Sequence, residues 1–169
     1  MRMRRSLAAV VMGLAVAGFS GFTAAAQDLN VPYVAPRPAS TLVMLPDGST
    51  VHVELATTEA EKAYGLMGRT KLPEGRGMLF INREDAQVGY WMYHCKIALD
   101  IIWIAADHRI VEMSPNTPPC LGKSSTCPTY GGHEPYRYAL ELPAGDISRH
   151  HLQVGETIDF SVDTQGTGQ

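Results

Sequence analysis

The sequence predicts a mostly β, β-rich α+β domain: a compact antiparallel sheet of barrel-like or sandwich form with two short helices. Three observations carry this. Short apolar runs succeed one another around turn residues, only two stretches carry a helical signature, and few crossover helices are available to build a parallel sheet.

The elements follow in order. Thr41–Leu45 and Val51–Leu55 alternate apolar and polar residues on either side of Pro46-Asp47-Gly48-Ser49, which is a hairpin signal. Thr58 with Glu61 three residues on forms a capping box that opens a helix through Lys62, Ala63 and Tyr64 toward Leu66 and Met67, and Gly68 lets it stop. Pro73-Glu74-Gly75 turns the chain into a strand over Gly77–Ile81. A polar loop, Asn82–Gln87, leads to a further strand over Val88–Tyr93. Ile101–Ala105 is the most hydrophobic segment beyond the first residues and is placed as the central strand, and Asp107-His108-Arg109 turns it into Ile110–Met113. Arg137–Leu142 returns as a strand, Ala144–Leu152 forms the second short helix with its end near Gly155, and Thr157–Val162 closes the domain. The sum is eight strands and two helices.

The chain opens on Met1-Arg2-Met3-Arg4-Arg5, runs through apolar and small residues from Leu7 to Phe22, and passes Ala24-Ala25-Ala26 before Gln27. That order is what a signal peptidase recognises, so residues 1–26 are expected to be removed. A membrane anchor needs about 20 consecutive apolar residues. Gly13, Gly18, Ser20, Gly21 and Thr23 dilute this run, and no stable membrane insertion is expected after cleavage. Residues 27–40, rich in proline, are expected to be a flexible tether, 41–164 a single globular domain and 165–169 a disordered tail. The expected location is periplasmic or secreted.

Charge bounds the partners. The chain has 14 basic and 17 acidic residues, and loss of Arg2, Arg4 and Arg5 leaves 11 against 17, a net of −6. Such a domain has no electrostatic footprint for nucleic acid. An unidentified small molecule or envelope component is the expected partner.

Of the three cysteines, Cys120 and Cys127 flank a polar loop bounded by Pro118, Pro119 and Pro128, which in an exported protein reads as a disulfide. Closing a loop of about eight residues contributes roughly 2.5 kcal/mol in the chain-entropy model. Paired ligands for a tetrahedral zinc site are lacking. Cys95 is left over and is expected to be buried, as free cysteines commonly are. His94 beside it does not make a catalytic pair, because neighbours on a strand point to opposite faces.

Several segments in order are Glu61-x-x-x-Gly65-Leu-Met-Gly-Arg69, Leu72-Pro-Glu-Gly-x-Gly-Met-Leu-Phe80, Trp91-Met92, Leu99-Asp-Ile-Ile102 and Glu141-Leu-Pro-Ala-Gly145. Together they resemble domain-of-unknown-function family 192, the uncharacterised conserved ACR family, from about Val51 to Phe160. The resemblance implies a compact β-rich fold and no established activity. Where the family has Asn-Thr and then Pro-Leu-Asp, this chain has His94-Cys95-Lys-Ile-Ala98-Leu-Asp100; the Asp100 position is retained.

The candidate ligand-binding residues are Arg69, Trp91, Met92, His94, Asp100 and Glu141. Arg69, Asp100 and Glu141 are charges beside apolar segments, and form either a buried ion-pair network or a polar cluster in a cleft where Trp91 can stack on a sugar or other ring. Asp100 with Glu141 is also the pair a carbohydrate hydrolase would use. Met92 and His94, on one face of a continued strand, offer thioether and imidazole to Cu(I), with Met67 and Met78 elsewhere. The bland alternative is methionine as core filler. His150-His151 reads as a solvated helix end and His133 as an exposed loop residue. With no complete catalytic constellation, the sequence favours a non-enzymatic binding or accessory domain; a hydrolase and a copper module are the alternatives, and no cofactor is implied.

Overall fold

The computed structural model describes residues 39–162; the expected leader, almost all of the tether and the expected tail lie outside the described residues. The domain is built on a seven-stranded sheet of order β6-β5-β8-β3-β2-β1-β9, with a separate two-stranded ribbon of β4 and β7. The strands are β1 (Ser40–Met44), β2 (Thr50–Ala56), β3 (Arg76–Ala86), β4 (Tyr90–Trp91), β5 (Leu99–Ile104), β6 (Ile110–Thr117), β7 (Thr129–Tyr130), β8 (Tyr136–Pro143) and β9 (Asp159–Phe160). Helices α1 (Glu59–Tyr64) and α2 (Asp146–Arg149) are both short.

Pairing is antiparallel except between β2 and β3, which run parallel in register from His52 opposite Arg76 to Ala56 opposite Phe80. A parallel pair needs a long connection, and residues 57–75, carrying α1, supply it. The capping box forms as expected: Glu61 N donates to Thr58 Oγ1 at 3.2 Å, and Thr58 N donates to Glu61 Oε2 at 2.9 Å. The resulting carboxylate is held below its ordinary pKa by the backbone donors of Thr58 and Thr57.

The sheet curls until its ends meet. Ile110 N donates to Glu156 O, Gly155 N to Ile110 O and Ile158 N to His108 O, at 2.8–3.0 Å, so the chain entering β9 joins the start of β6. Alternation along the strands makes two cores. Val51, Val53, Leu79, Ile102, Leu140 and Leu142 pack with Ile110 and Phe160 from the two edges, inside the curl. Met78, Phe80, Ile101, Trp103 and Ala139 face the other way and are covered by Leu66, Met92, Cys95 and Tyr136.

Several expected boundaries move. The segment Asn82–Ala86, expected as loop, extends β3 past a register shift. β5 is buried along its whole length as its hydrophobicity demands, yet lies next to the edge strand β6 rather than at the centre; both of its faces are covered by packed segments. The second helix shrinks to four residues. The expected strand over Val88–Tyr93 survives only as Tyr90–Trp91, because Cys95 N turns back to Met92 O and His94 takes φ 57°. Among the described residues no helix is long and apolar enough to cross a membrane.

Candidate functional site

A cleft of about 220 Å³ opens between α1 and the sheet. One wall is Lys62, Tyr64 and the turn after α1; Phe80 and Asn82 come from β3, Tyr90 and Trp91 from β4, and Tyr136 and Glu141 from β8. Gly65, at φ +47°, lets the helix end approach this closely, because a Cβ there would lie 3.1 Å from Phe80 Cζ.

The opposite wall is held by aromatic packing. Tyr90 makes edge-to-face contacts with Phe80 at 5.3 Å, Trp103 at 5.8 Å and Tyr136 at 6.1 Å between centroids, a geometry worth about 0.5–1.5 kcal/mol per pair beyond burial. Tyr136 also donates its hydroxyl to Val88 O at 2.9 Å. Gly131, at φ +61°, lies flat on Trp103: a Cβ would come within 2.3 Å of the indole. The disulfide Cys120–Cys127 is formed, and Cys120 anchors the chain beyond β4, its N–H donating to Met92 O and its carbonyl accepting from His94 N.

At the floor lies Glu141, 6% exposed, whose Oε2 has no hydrogen-bond partner. Burial pushes its pKa up to about 8, so the carboxyl is neutral at pH 7. Asn82 is the second polar group here: Lys62 Nζ donates to its Oδ1 at 3.0 Å, and its buried Nδ2 is left unpartnered. Lys62 is in turn paired with Glu59 at 2.7 Å. Cys95 also lines the cleft, 6% exposed, with its thiol pushed up to about 11 by burial and by the nearby Glu141 carboxyl. Such a thiol is a poor nucleophile at neutral pH.

Of the sequence candidates, only Trp91 and Glu141 meet in this cleft. Arg69 lines a separate depression of about 430 Å³, where its guanidinium forks onto Glu54 at 2.7 and 2.5 Å. Asp100 is fully buried on the other face of the sheet, accepting from Asn116 N at 2.6 Å, Gly145 N at 3.1 Å and Ile147 N at 2.7 Å. The register explains the separation: Ile101 faces Glu141 and Asp100 faces Leu142, so neighbours along β5 diverge. Neither the expected ion-pair network of Arg69, Asp100 and Glu141 nor an acid/base couple of Asp100 and Glu141 exists. The copper set also disperses, Met92 being sealed in the core at 1% exposure while His94 stands exposed against the Tyr93 ring. Among the described residues no group of three or more His, Cys, Asp or Glu is placed to hold a metal ion.

Two histidine expectations divide. His133 is exposed, with Nδ1 on Glu112 at 2.6 Å. His150 is not a solvated helix end: its Nδ1 meets Asp47 Oδ2 at 2.8 Å and Ser49 Oγ at 3.0 Å, tying α2 to the first hairpin. Asn82, Lys62, Tyr90, Tyr93 and Tyr136 were not readable as site residues. The one usable signal was local, three aromatics in the four residues Tyr90-Trp91-Met92-Tyr93.

A curled β sheet with an aromatic-walled cleft between its single crossover helix and its outer face defines the class. The family model of DUF192, described as Uncharacterized ACR, matches residues 42–160, and the chain belongs to that family. A crystal structure of a Sinorhizobium meliloti 1021 protein, named as a proposed transcription regulator, is 30% identical with a TM-score of 0.65, covering 75% of this chain and 98% of that one. A Novosphingobium aromaticivorans DSM 12444 protein of unknown function is also 30% identical, with a TM-score of 0.62 and coverage of 72% and 84%. Among curated proteins no match to the chain was found.

Proposed function

We propose that this is the binding domain of an exported, periplasmic or secreted protein, non-enzymatic, which holds one small neutral ligand in the cleft beside Trp91. The leader-like first residues and the Cys120–Cys127 bridge support the compartment. One observation carries the site: the buried Glu141 carboxyl lines the cleft and has an oxygen without a hydrogen-bond partner. Buried polar groups are almost always hydrogen-bonded, since leaving one unpaired costs about 1–3 kcal/mol. Glu141 is paid no such compensation by the protein, and a ligand hydroxyl or amide would supply it.

The non-enzymatic reading is supported by two placements: the Asp100 carboxyl lies across the sheet from Glu141, and the Cys95 thiol is held protonated. The excess of acidic residues gives no support for extending to this chain the regulatory role in the Sinorhizobium protein's name. The test is NMR titration of the ¹⁵N-labelled protein with benzamide, phenol and glucose, each at millimolar concentration. At least one should move the Trp91 indole and Asn82 amide signals; if all three leave both in place in the folded protein, the reading is wrong.

A further inference from the structure

We propose that the occupant of this cleft is a single neutral sugar residue within a longer glycan, its apolar face on Trp91 and Tyr93 and its hydroxyls on Asn82 and Glu141. The inference rests on the binding reading above and names its ligand class. Four features select it.

Size comes first. The cleft's volume of about 220 Å³ is below the roughly 300–1,000 Å³ of pockets that take drug-sized molecules, and suits one ring. The rim supplies a platform: Trp91, 45% exposed, lies 5.2 Å from Tyr93 between centroids with the planes tilted 38°. An aromatic face takes the C–H face of a ring while leaving the ring's polar edge free.

The floor then sorts by hydrogen bonding. A neutral carboxyl offers one O–H donor and acceptor lone pairs, and an amide whose oxygen is already occupied offers two N–H donors. That mixture matches adjacent hydroxyl groups, each of which both donates and accepts. Ions are disfavoured, because Lys62 is already paired with Glu59 and Glu141 carries no charge at pH 7. Finally, the apolar rim outruns the cleft: Tyr64 is 65% exposed and Val88 61%, both lining its mouth. Surface of that kind continues the platform past one ring, toward neighbouring residues of a chain.

The experiment is titration, by NMR and calorimetry, with N-acetylglucosamine and its linear trimer, alongside benzamide and phenol as non-sugar probes. Both sugars should shift the Trp91 indole and Asn82 amide, with the trimer bound at least roughly tenfold more tightly. Trp91→Ala, an exposed position, should weaken the trimer by roughly tenfold, as loss of a ring-stacking contact does. Glu141→Gln should retain binding and Glu141→Leu should lose it. If benzamide or phenol moves the cleft signals and the sugars do not, the sugar assignment is overturned while the binding reading stands. If nothing moves them, both fall. Sugar binding that is indifferent to Trp91→Ala overturns the stacking geometry.

Discussion

Asp100 on β5 and Glu141 on β8 are one register step apart, and that step puts them on opposite faces of the sheet. One carboxyl is saturated by three backbone N–H groups that fasten α2 and β6 to the sheet; the other has an oxygen with no partner at all. They are therefore separable by substitution.

Asp100→Ala should cost roughly 3–5 kcal/mol of stability, since three buried or half-buried N–H donors lose a charged acceptor together. Urea unfolding measures it. A loss below about 1 kcal/mol would show that Asp100 does not fasten these elements.

Glu141 predicts a pH slope. Its folded pKa of about 8 lies above the ordinary 4.5, so between those values the folded state holds a proton that the unfolded chain releases. Stability therefore falls as pH rises from about 4.5 to 8 and levels off above, by several kcal/mol in all. Of the titratable groups around it, Cys95 and Tyr90 are shifted upward by burial and titrate above this window, and Lys62 on α1 contacts Glu59 at 2.7 Å. Glu141→Gln should remove the slope. Parallel urea midpoints for wild type and variant at pH 5, 7 and 9 would contradict this.

Replacing both Cys120 and Cys127 by serine should cost roughly 2.5 kcal/mol. Because Cys120 holds the backbone at Met92 and His94, the Trp91 indole resonance should shift in the folded variant while that of Trp103 stays.

Arg69→Lys removes a forked pair whose side chains are 35% and 30% exposed, and such pairs contribute about 0–1 kcal/mol. The midpoint should drop by no more than that, and cleft titrations should be unchanged. Altered binding would tie the Arg69 depression to the site.

Cys95 should react with iodoacetamide only slowly in the folded protein and rapidly in urea, its thiol being buried and held protonated at neutral pH. Rapid labelling of the native state would show that the cleft floor opens.

The hairpins, the capping box at Thr58 and the disulfide were legible because each is a local device with its own residue code. The parallel pairing of β2 with β3 was not, since nothing in either strand records its partner across the connection. The site followed the same division. Trp91 and Glu141 stood out by type, but their meeting depends on which face β8 turns toward α1, a property of pairing with β5. Asp100 and Glu141 looked alike in sequence, as charges in apolar strands; one register step separates a brace from a ligand group. Met92 and His94 do not share a strand face, because β4 ends at Trp91 and the turn at His94 breaks the alternation.

The seam between β9 and the start of β6 has a consequence for how the chain becomes a protein. Its last described strand pairs with β1 at Val43 and Met44, and the residues just before it bond to the beginning of β6. Until residues 155–160 are in place, two rows of backbone donors and acceptors stand open at once, each able to accept a strand from another molecule. A chain cut before Gly155 would thus be a template for self-association on both flanks, and the final few residues of the domain are what cover those two rows.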